Sequence, residues 1–187
     1  MYPVPALATP HLVLRGYTAA DAPALLALLG DREVNTFLPM FPLDTLAQAQ
    51  AYLEALSARD GWFFAVCPGD GPLAGYVHIQ DTPSRDTGWA LARSQWGKGY
   101  ATEAARAAIG YVKTRGVPFV TATHDVNNPR SGAVMRRLGM RYCYSYREQW
   151  QPKDLSVVFR LYQLDLDGPH PDYDAYRRQY PAFTETF

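Results

Sequence analysis

The sequence lacks the features that would suit it to a polyanion, a membrane or a metal ion. Its 18 Lys and Arg residues balance 18 Asp and Glu residues, so no overall positive charge exists to hold DNA or RNA. No apolar run approaches the roughly 18 residues of a membrane-spanning helix, and the first ten residues hold no Lys or Arg for a signal peptide. Cysteine is scarce, since Cys67 and Cys143 form no CxxC pair and no zinc-spaced cluster with histidine. We therefore expect a cytoplasmic protein with no metal, no nucleic acid and no membrane among its partners.

The composition is that of one folded domain. Hydrophobic residues make up 48% of the 187 residues and charged residues 19%, which is too apolar for a disordered chain. A chain of this length forms one domain more readily than two. The aromatic fraction is high, at 13%, and such rings either fill a core or line a pocket for a small ligand.

The order of elements predicts an α+β fold. Runs of strand-like residues bounded by turn residues indicate strands, and apolar stripes at helical spacing indicate helices. The predicted strands cover residues 11–17, 62–66, 73–80, 87–91, 118–123, 140–150 and 155–164. The predicted helices are one that stops near Gly30, one capped by Thr45 and Gln48, and two at residues 100–115 and 129–138. We expect a single domain with a central mixed, mostly antiparallel β-sheet flanked by helices, its core at about residues 10–165.

The remaining residues, 166–187, form a tail. It carries Tyr173, Tyr176 and Tyr180 at helical spacing, which predicts an aromatic surface that packs against something. The tail packs either against this domain or against the other subunit of a homodimer.

The segment Gln95–Ala104 places two glycines between a predicted strand and the start of a helix. Without side chains at Gly97 and Gly99, backbone N–H groups can turn toward an anion, and the helix N-terminus adds about half a positive charge. The loop is not a Walker loop, and Thr102 breaks the Gly-x-Gly-x-x-Gly dinucleotide fingerprint. The pattern indicates a pyrophosphate site, with a plain glycine-rich turn as the alternative.

A second motif follows in the predicted helix at 129–138, and the two together carry a resemblance. The chain resembles the GNAT family of acyl-CoA-dependent N-acyltransferases, in particular its RimJ/RimL branch. The first motif is similar to residues 86–104. The second, Asn-x-x-Ser followed by a basic residue, an apolar residue, Gly and a further apolar residue, is matched by Asn128, Ser131, Arg137, Leu138, Gly139 and Met140. The order of elements matches across about residues 10–165.

This resemblance implies acetyl-CoA, or a related acyl-CoA, in a V-shaped opening between the strand ending at Leu91 and the strand at 119–123. It implies cofactor contacts at Ala90, Leu91, Ala92, Gln95, Trp96, Gly97, Lys98, Gly99, Tyr100, Ala101, Thr102, Asn128 and Ser131. Coenzyme A is a polyanion and the chain is neutral, so local cations are required. The candidates are Arg93, Lys98, Arg130, Arg136 and Arg137, whose alternative role is a solvated helix surface.

An N-acyltransferase needs a base, because the attacking amine must be uncharged and its pKa is about 8 at a chain terminus and about 10.4 on Lys. Asp86 stands where relatives often carry an acidic residue, so it is the first candidate for a catalytic base. A turn-ending structural Asp is the alternative. His124, His78 and Glu33 are the other candidate bases, although a lone His is more often structural.

The acid that would protonate the leaving thiolate is missing from its usual place. Many members of the family carry a Tyr four residues before the glycine of the second motif, where this chain has Met135. Tyr142 or Tyr144 on the following strand, or water, would have to substitute. We take Tyr144 as the candidate catalytic acid.

The acceptor pocket is predicted from the aromatic loop and the strand alternation. Its candidate lining residues are Asn35, Phe37, Trp62, His78 and Trp89, with Leu38, Met40, Gln80 and Trp150 nearby. A largely neutral, aromatic lining would not favour a strongly charged acceptor. The alternative is that these rings are simply core.

Two functions follow from these patterns. The first is an N-acetyltransferase that moves an acetyl group from acetyl-CoA to a protein N-terminus or a small-molecule amine by direct attack on the thioester. The second is a domain that binds acyl-CoA as a sensor without catalysis, which the missing Tyr and the short Asp86 side chain would permit.

Overall fold

A computed structural model describes residues 1–186 of the chain. Its first sheet is antiparallel throughout, with strands in the order β1-β2-β3-β4-β5. Turn residues between hydrophobic runs fold β3 to β5 into a meander. The strands are β1 (Leu7–Ala8), β2 (Leu12–Arg15), β3 (Gly61–Pro68), β4 (Gly75–Gln80) and β5 (Thr87–Leu91).

The second sheet has the order β6-β8-β7-β9, and its pairs are also antiparallel. A hairpin formed by β7 and β8 makes up most of it, and a bulge between Tyr142 and Tyr144 shifts the register within that hairpin. Its strands are β6 (Phe119–Asp125), β7 (Arg141–Trp150), β8 (Leu155–Asp165) and β9 (Ala182–Phe183).

Helices lie between these strands in the chain. They are α1 (Ala22–Leu29), α2 (Arg32–Asn35), α3 (Leu46–Ser57), α4 (Tyr100–Thr114), α5 (Pro129–Arg137) and α6 (Ala175–Gln179). The capping box expected at Thr45 and Gln48 is present at the start of α3, where the Thr45 hydroxyl accepts from the Gln48 N–H at 3.2 Å. None of the helices within residues 1–186 is long and apolar enough to cross a membrane.

The two sheets meet at one short junction. Asp86 and Thr121 form a parallel bridge, and beside it the Thr121 N–H donates to the Arg85 carbonyl at 3.2 Å. The Thr121 hydroxyl donates to the Ser84 carbonyl at 2.8 Å. Beyond this bridge β5 and β6 share no further ladder pairing in the described part of the chain, so the strands diverge toward their carboxyl ends. The junction makes the sheet mixed, and we infer a cleft between the unpaired carboxyl ends of the two strands, at Leu91 and Asp125.

Two cores lie on opposite faces of the first sheet. Helix α4 packs on one face through Ala104, Ala105 and Ala108, which are at most 1% exposed. Alanine side chains are short, so the helix can lie close to the strands beneath it. On the other face α1 contributes Leu25 and Leu29, which pack with residues of β3 and β4.

The fold class expected from the sequence is confirmed, and the differences are at short elements. The strand at 87–91 has the predicted bounds, and the predicted helix at 100–115 ends one residue earlier. The two-residue strands β1 and β9 and the four-residue α2 were not predicted. Such elements form because neighbouring strands or a cap stabilise them. The Asp31 carboxylate, for example, caps the start of α2. They are too short to show a periodic sequence pattern.

We predict that Ala108→Leu destabilises the protein by about 1–3 kcal/mol, because the added atoms have no space between α4 and the sheet. Ala47→Leu on the exposed side of α3 is the matched control and should change the free energy of unfolding by less than about 0.5 kcal/mol. Urea unfolding of both variants measures this difference. Equal effects at the two positions would contradict close packing of α4.

Candidate active site

The glycine loop adopts a backbone that other residues rarely take. Gly97 has a φ of 77° and Gly99 a φ of 82°, and Gly99 is the N-cap of α4. A β-carbon built at either position would meet nothing within 4 Å. Glycine is favoured here by the left-handed backbone and not by a lack of space. This conformation carries the chain from β5 into the N-terminus of a 15-residue helix.

An open cavity of about 600 Å³ lies at this loop. Cations reach it from three elements: Lys98 from the loop, Arg106 from α4 and Arg137 from α5. The other lining residues are Pro10, His11, Gly97, Gly99, Thr102 and Glu103. Three cations and a helix N-terminus around one cavity fit a polyanion such as the phosphates of coenzyme A.

A carboxylate also lines this cavity, and the N-terminal segment holds it. Glu103 accepts hydrogen bonds from the Thr9 hydroxyl at 2.6 Å and from the His11 N–H at 2.9 Å. The His11 Nδ1 lies 2.9 Å from its second oxygen. Burial works to raise the pKa of Glu103, but these hydrogen bonds outweigh it and lower the pKa. Glu103 therefore remains ionised in the first turn of α4, where the helix dipole favours a negative charge.

Arg93 is engaged elsewhere. It was one of five cations expected near coenzyme A, but its guanidinium lies 2.7 Å from Asp31 and 3.1 Å from Glu33. The pairing also involves Glu33, a candidate base whose side chain is 59% exposed. The structure therefore gives both residues a role in joining the end of β5 to the start of α2.

The cleft between β5 and α5 is crossed by a tryptophan. The Trp96 indole N–H donates to the Leu91 carbonyl at 2.7 Å, and the Arg130 guanidinium lies 5.2 Å from the Trp96 ring centre. The Ala92 N–H donates to the Ala74 carbonyl at 2.8 Å. The Leu91 carbonyl and the Ala92 N–H, which were expected to pair with pantetheine, are therefore already hydrogen-bonded within the protein.

The second motif caps a helix. The Asn128 side-chain oxygen accepts from the Ser131 N–H at 3.3 Å, and Pro129 occupies the first turn of α5. Asn128 is thus an N-cap residue whose motif spacing is explained by helix geometry. This contact leaves its side-chain amide N–H₂ group available to a ligand.

A carboxylate and an imidazole share the sheet face opposite α4. The Asp86 side chain is 27% exposed, and its Oδ2 lies 4.0 Å from the His78 Nε2. The His78 ring packs directly over Gly88, where an added β-carbon would lie 2.5 Å from His78 Cε1. Burial raises the pKa of Asp86 to about 6 and lowers that of His78 to about 4. At neutral pH His78 is uncharged, while Asp86 is an ionised carboxylate with an elevated proton affinity.

His124 lies on the other face, away from Asp86. Its Nδ1 lies 2.8 Å from the Asp125 carbonyl, and its ring faces Gly132 of α5. Burial lowers its pKa. This placement is against the predicted role of His124 as a base, and it supports the structural alternative.

Tyr144 is also committed to other contacts. Its hydroxyl donates to the Tyr173 carbonyl at 2.8 Å and accepts from the Arg177 N–H at 3.3 Å. The side chain is fully buried under the C-terminal tail, and burial raises its pKa to about 12. The predicted role as the acid for the leaving thiolate is therefore not supported. Tyr142 is bonded on the opposite face, where its hydroxyl lies 2.9 Å from the Ser145 hydroxyl.

Of the five predicted acceptor residues, only His78 lies beside Asp86. Trp62 and Trp89 pack into the core under α4, because strand alternation turns them to the face opposite His78. Asn35 is 2% exposed and donates to the Leu29 carbonyl at 3.3 Å, so it is structural. Phe37 is half-buried in the loop after α2.

Two residues at the site were not among those predicted from the sequence. Arg106 and His11 line the anion cavity. Arg106 could have been found, since it follows Thr102 by one helical turn. His11 could not have been found in this way, because it lies more than 90 residues before Glu103 in the chain and reaches α4 only through the fold. Among the described residues no three His, Cys, Asp or Glu side chains form a metal-binding group.

The structure thus brings together an anion cavity at a helix N-terminus, a diverging pair of strands and a partly buried carboxylate beside them. A family model for the acetyltransferase (GNAT) domain matches residues 11–141. The chain therefore belongs to the GNAT acetyltransferase family.

Similar proteins extend this comparison. The chain is 35% identical over 75 residues to the uncharacterized protein YkkB of Bacillus subtilis, a match that covers 40% of this chain and 44% of that relative. The matched part thus spans less than half the length of that curated relative. A GNAT-family acetyltransferase structure from Bacillus anthracis is 21% identical with a TM-score of 0.76, covering 87% of this chain and 99% of that one. The structure of RimL, an acetyltransferase of ribosomal protein L7/L12, in complex with coenzyme A is 17% identical with a TM-score of 0.75, covering 86% and 97%.

We predict that Asn128→Ala weakens coenzyme A binding and also destabilises the protein by about 1 kcal/mol through loss of the helix cap. Asn128→Ser separates the two effects, because serine caps a helix but has no amide. For both variants, isothermal calorimetry measures the affinity for coenzyme A, and thermal unfolding measures the stability. If Asn128→Ser binds coenzyme A as well as the native protein does, Asn128 is only a cap.

Proposed function

We propose that the protein transfers an acetyl group from acetyl-CoA to a primary amine by direct attack of the amine on the thioester. The observation that carries this proposal is the Asp86 carboxylate, which lies at the junction of β5 and β6 with a raised pKa. The cation-lined cavity at the Gly97–Thr102 loop supports acetyl-CoA as the donor.

The first step joins attack and proton transfer. The amine nitrogen bonds to the thioester carbonyl carbon as the carbonyl π electrons move onto oxygen, and a proton of the nitrogen passes to Asp86 directly or through water. The oxyanion re-forms the carbonyl when the thiolate leaves. A carboxylate with a pKa near 6 is ionised at pH 7 and accepts a proton more readily than an ordinary Asp. His78 is uncharged at this pH and so does not stabilise the carboxylate as an ion-pair partner.

The second step breaks the carbon–sulfur bond. The electron pair of that bond leaves with the sulfur as the thiolate of coenzyme A, and a proton from water or from Asp86 completes the thiol. A thiol has a pKa of about 8.5, so its thiolate is a tolerable leaving group without a dedicated acid. No tyrosine at position 135 or 144 is needed for this step.

The acceptor in this proposal is an amine that reaches the face of β4 and β5 bearing Asp86. An amine with a pKa near 8, such as a protein N-terminus, loses its proton to Asp86 more easily than a lysine side chain does. Peptides with free N-termini and small-molecule amines are therefore both suitable test acceptors. Release of free thiol from acetyl-CoA with such a panel tests the proposal. Coenzyme A binding without release of thiol with any amine would instead identify a sensor.

We predict that Asp86→Asn lowers the turnover number by about 10²–10⁴-fold, because the amide has the same shape but accepts no proton. The acidic limb of the pH–rate profile, expected near pH 6 in the native protein, should also disappear. Asp70→Asn in the exposed β3–β4 turn is the matched control and should leave both unchanged. Near-full turnover in Asp86→Asn would remove Asp86 from the mechanism.

We predict further that Asp86→Asn is more stable than the native protein at pH 8. The folded state raises the pKa of Asp86 from 3.8 to about 6, so it binds this proton more tightly than the unfolded chain does. The free energy of unfolding of the native protein therefore falls as pH rises between these values and stays lower above them. Asparagine does not ionise, so the difference between the two proteins should vanish near pH 3 to 4. Thermal unfolding of both proteins at pH 8 and at pH 3 to 4 measures this difference. If Asp86→Asn were less stable than the native protein at pH 8, the raised pKa of Asp86 would be contradicted.

A further inference from the structure

The C-terminal segment at residues 170–186, which we call the C-terminal strap, crosses the second sheet on the side that bears Asp86. A buried amide fixes its start. The fully buried Gln163 side chain donates to the Pro171 carbonyl at 3.0 Å and accepts from the Tyr173 N–H at 2.8 Å. Because an unpaired buried amide would cost free energy, these bonds strongly favour the seated strap.

Aromatic rings hold the middle of the strap against β7. The rings of Tyr176 and Tyr180 stack on Tyr146, with centroid distances of 5.0 Å and 5.4 Å. Tyr173 packs edge-on against Tyr176 at 5.2 Å. Tyr146 is 3% exposed under these rings, so the strap and β7 form one aromatic surface.

The start of the strap is tied to the junction that holds the candidate base. Gln163, which holds the strap at Pro171 and Tyr173, is the register partner of Thr121 on β6, and Thr121 forms the bridge with Asp86. The negative charge of Asp86 also contributes, after burial, to raising the pKa of Tyr176. The strap therefore begins two strands away from the candidate base.

An ion pair latches the far end of the strap. Residues Ala182 and Phe183 form β9 on the edge of β7. Beyond β9 the Glu185 carboxylate accepts from Nε and Nη2 of Arg160, both at 2.8 Å, and from the Ser145 hydroxyl. Arg160 lowers the pKa of Glu185 to about 2, so the latch is ionised at neutral pH.

We propose that the C-terminal strap forms one wall of the acceptor site and that Tyr176 is a specificity-determining residue, which favours amines carried on an aromatic or apolar group. The inference rests on the proposed function, because it takes Asp86 as the proton acceptor. Ring faces gain free energy by covering apolar surface of a ligand. An acceptor whose nitrogen approaches Asp86 would place the rest of its structure along Tyr176.

The test uses phenethylamine as an aromatic probe and glycinamide as a small polar one. Calorimetry measures their binding to the native protein saturated with coenzyme A, and steady-state kinetics with acetyl-CoA measures the two KM values. We expect phenethylamine to bind more tightly than glycinamide. Tyr176→Leu should weaken phenethylamine binding and raise its KM by roughly 2- to 10-fold, the range of a lost aromatic contact. The KM of acetyl-CoA should not change.

Two more variants separate the wall from its support. Tyr176→Phe keeps the ring and should retain phenethylamine binding, which guards against a folding defect in Tyr176→Leu. Glu185→Gln loosens the latch far from Asp86 and should also raise the KM of phenethylamine. The matched control is Asp174→Asn, which removes an exposed carboxylate of the strap whose one ion pair within residues 1–186 is with Arg178 on the surface of α6.

The outcomes distinguish this inference from the proposed function. Equal phenethylamine affinity in the native protein and Tyr176→Leu, or tighter binding of glycinamide to the native protein, would overturn the role of the strap. Should that occur while another amine is acetylated in a reaction that Asp86→Asn abolishes, the proposed function would stand. If no amine is acetylated, the proposed function fails, and calorimetry still decides the role of Tyr176.

Discussion

The parallel bridge between Asp86 and Thr121 is the contact on which the rest of the site depends. It joins two antiparallel sheets at one end of β5 and β6 and leaves their other ends apart, which creates the cleft. It also places Asp86 at the base of that cleft, where burial raises the pKa of its carboxyl. The hydrogen bonds of Thr121 to the Arg85 and Ser84 carbonyls fix the register of this junction. A shift by one residue would turn Asp86 to the opposite face.

The site handles charge locally in a chain whose net charge is zero. At the glycine loop, cations from three elements surround one cavity, and the one carboxylate in its lining is held by Thr9 and His11. At the junction of the two sheets the carboxylate of Asp86 has a neutral imidazole 4.0 Å away. The first environment favours an anionic group, and burial in the second raises the proton affinity of the Asp86 carboxylate. Both effects need only a few residues, so bulk composition reveals neither.

The long elements and the glycine loop could be predicted from the sequence, because periodicity and turn residues determine them locally. The strand at 87–91 and the helix at 100–114 are examples. The face of the sheet on which each side chain lies was harder to predict. Trp62 and His78 lie on neighbouring strands of one sheet, and only the register decides that they face opposite sides. Tyr144 and His124 were assigned by chain position, but the C-terminal strap determines the contacts of Tyr144, and the packing of α5 on β6 determines those of His124. Contacts across long stretches of chain, such as His11 with Glu103, leave no local pattern.

The strap also determines how copies of this chain can meet. Its two-residue strand β9 occupies the outer edge of β7, at Ser145 and Tyr146, so a second molecule cannot extend the sheet there by simple strand addition. Pairing at that edge would require one molecule to release its own strap and accept the strap of the other. Such an exchange reproduces every contact of the strap in trans, including the Gln163 amide and the Glu185 latch. A dimer formed in this way would carry in each subunit an acceptor wall that belongs to its partner.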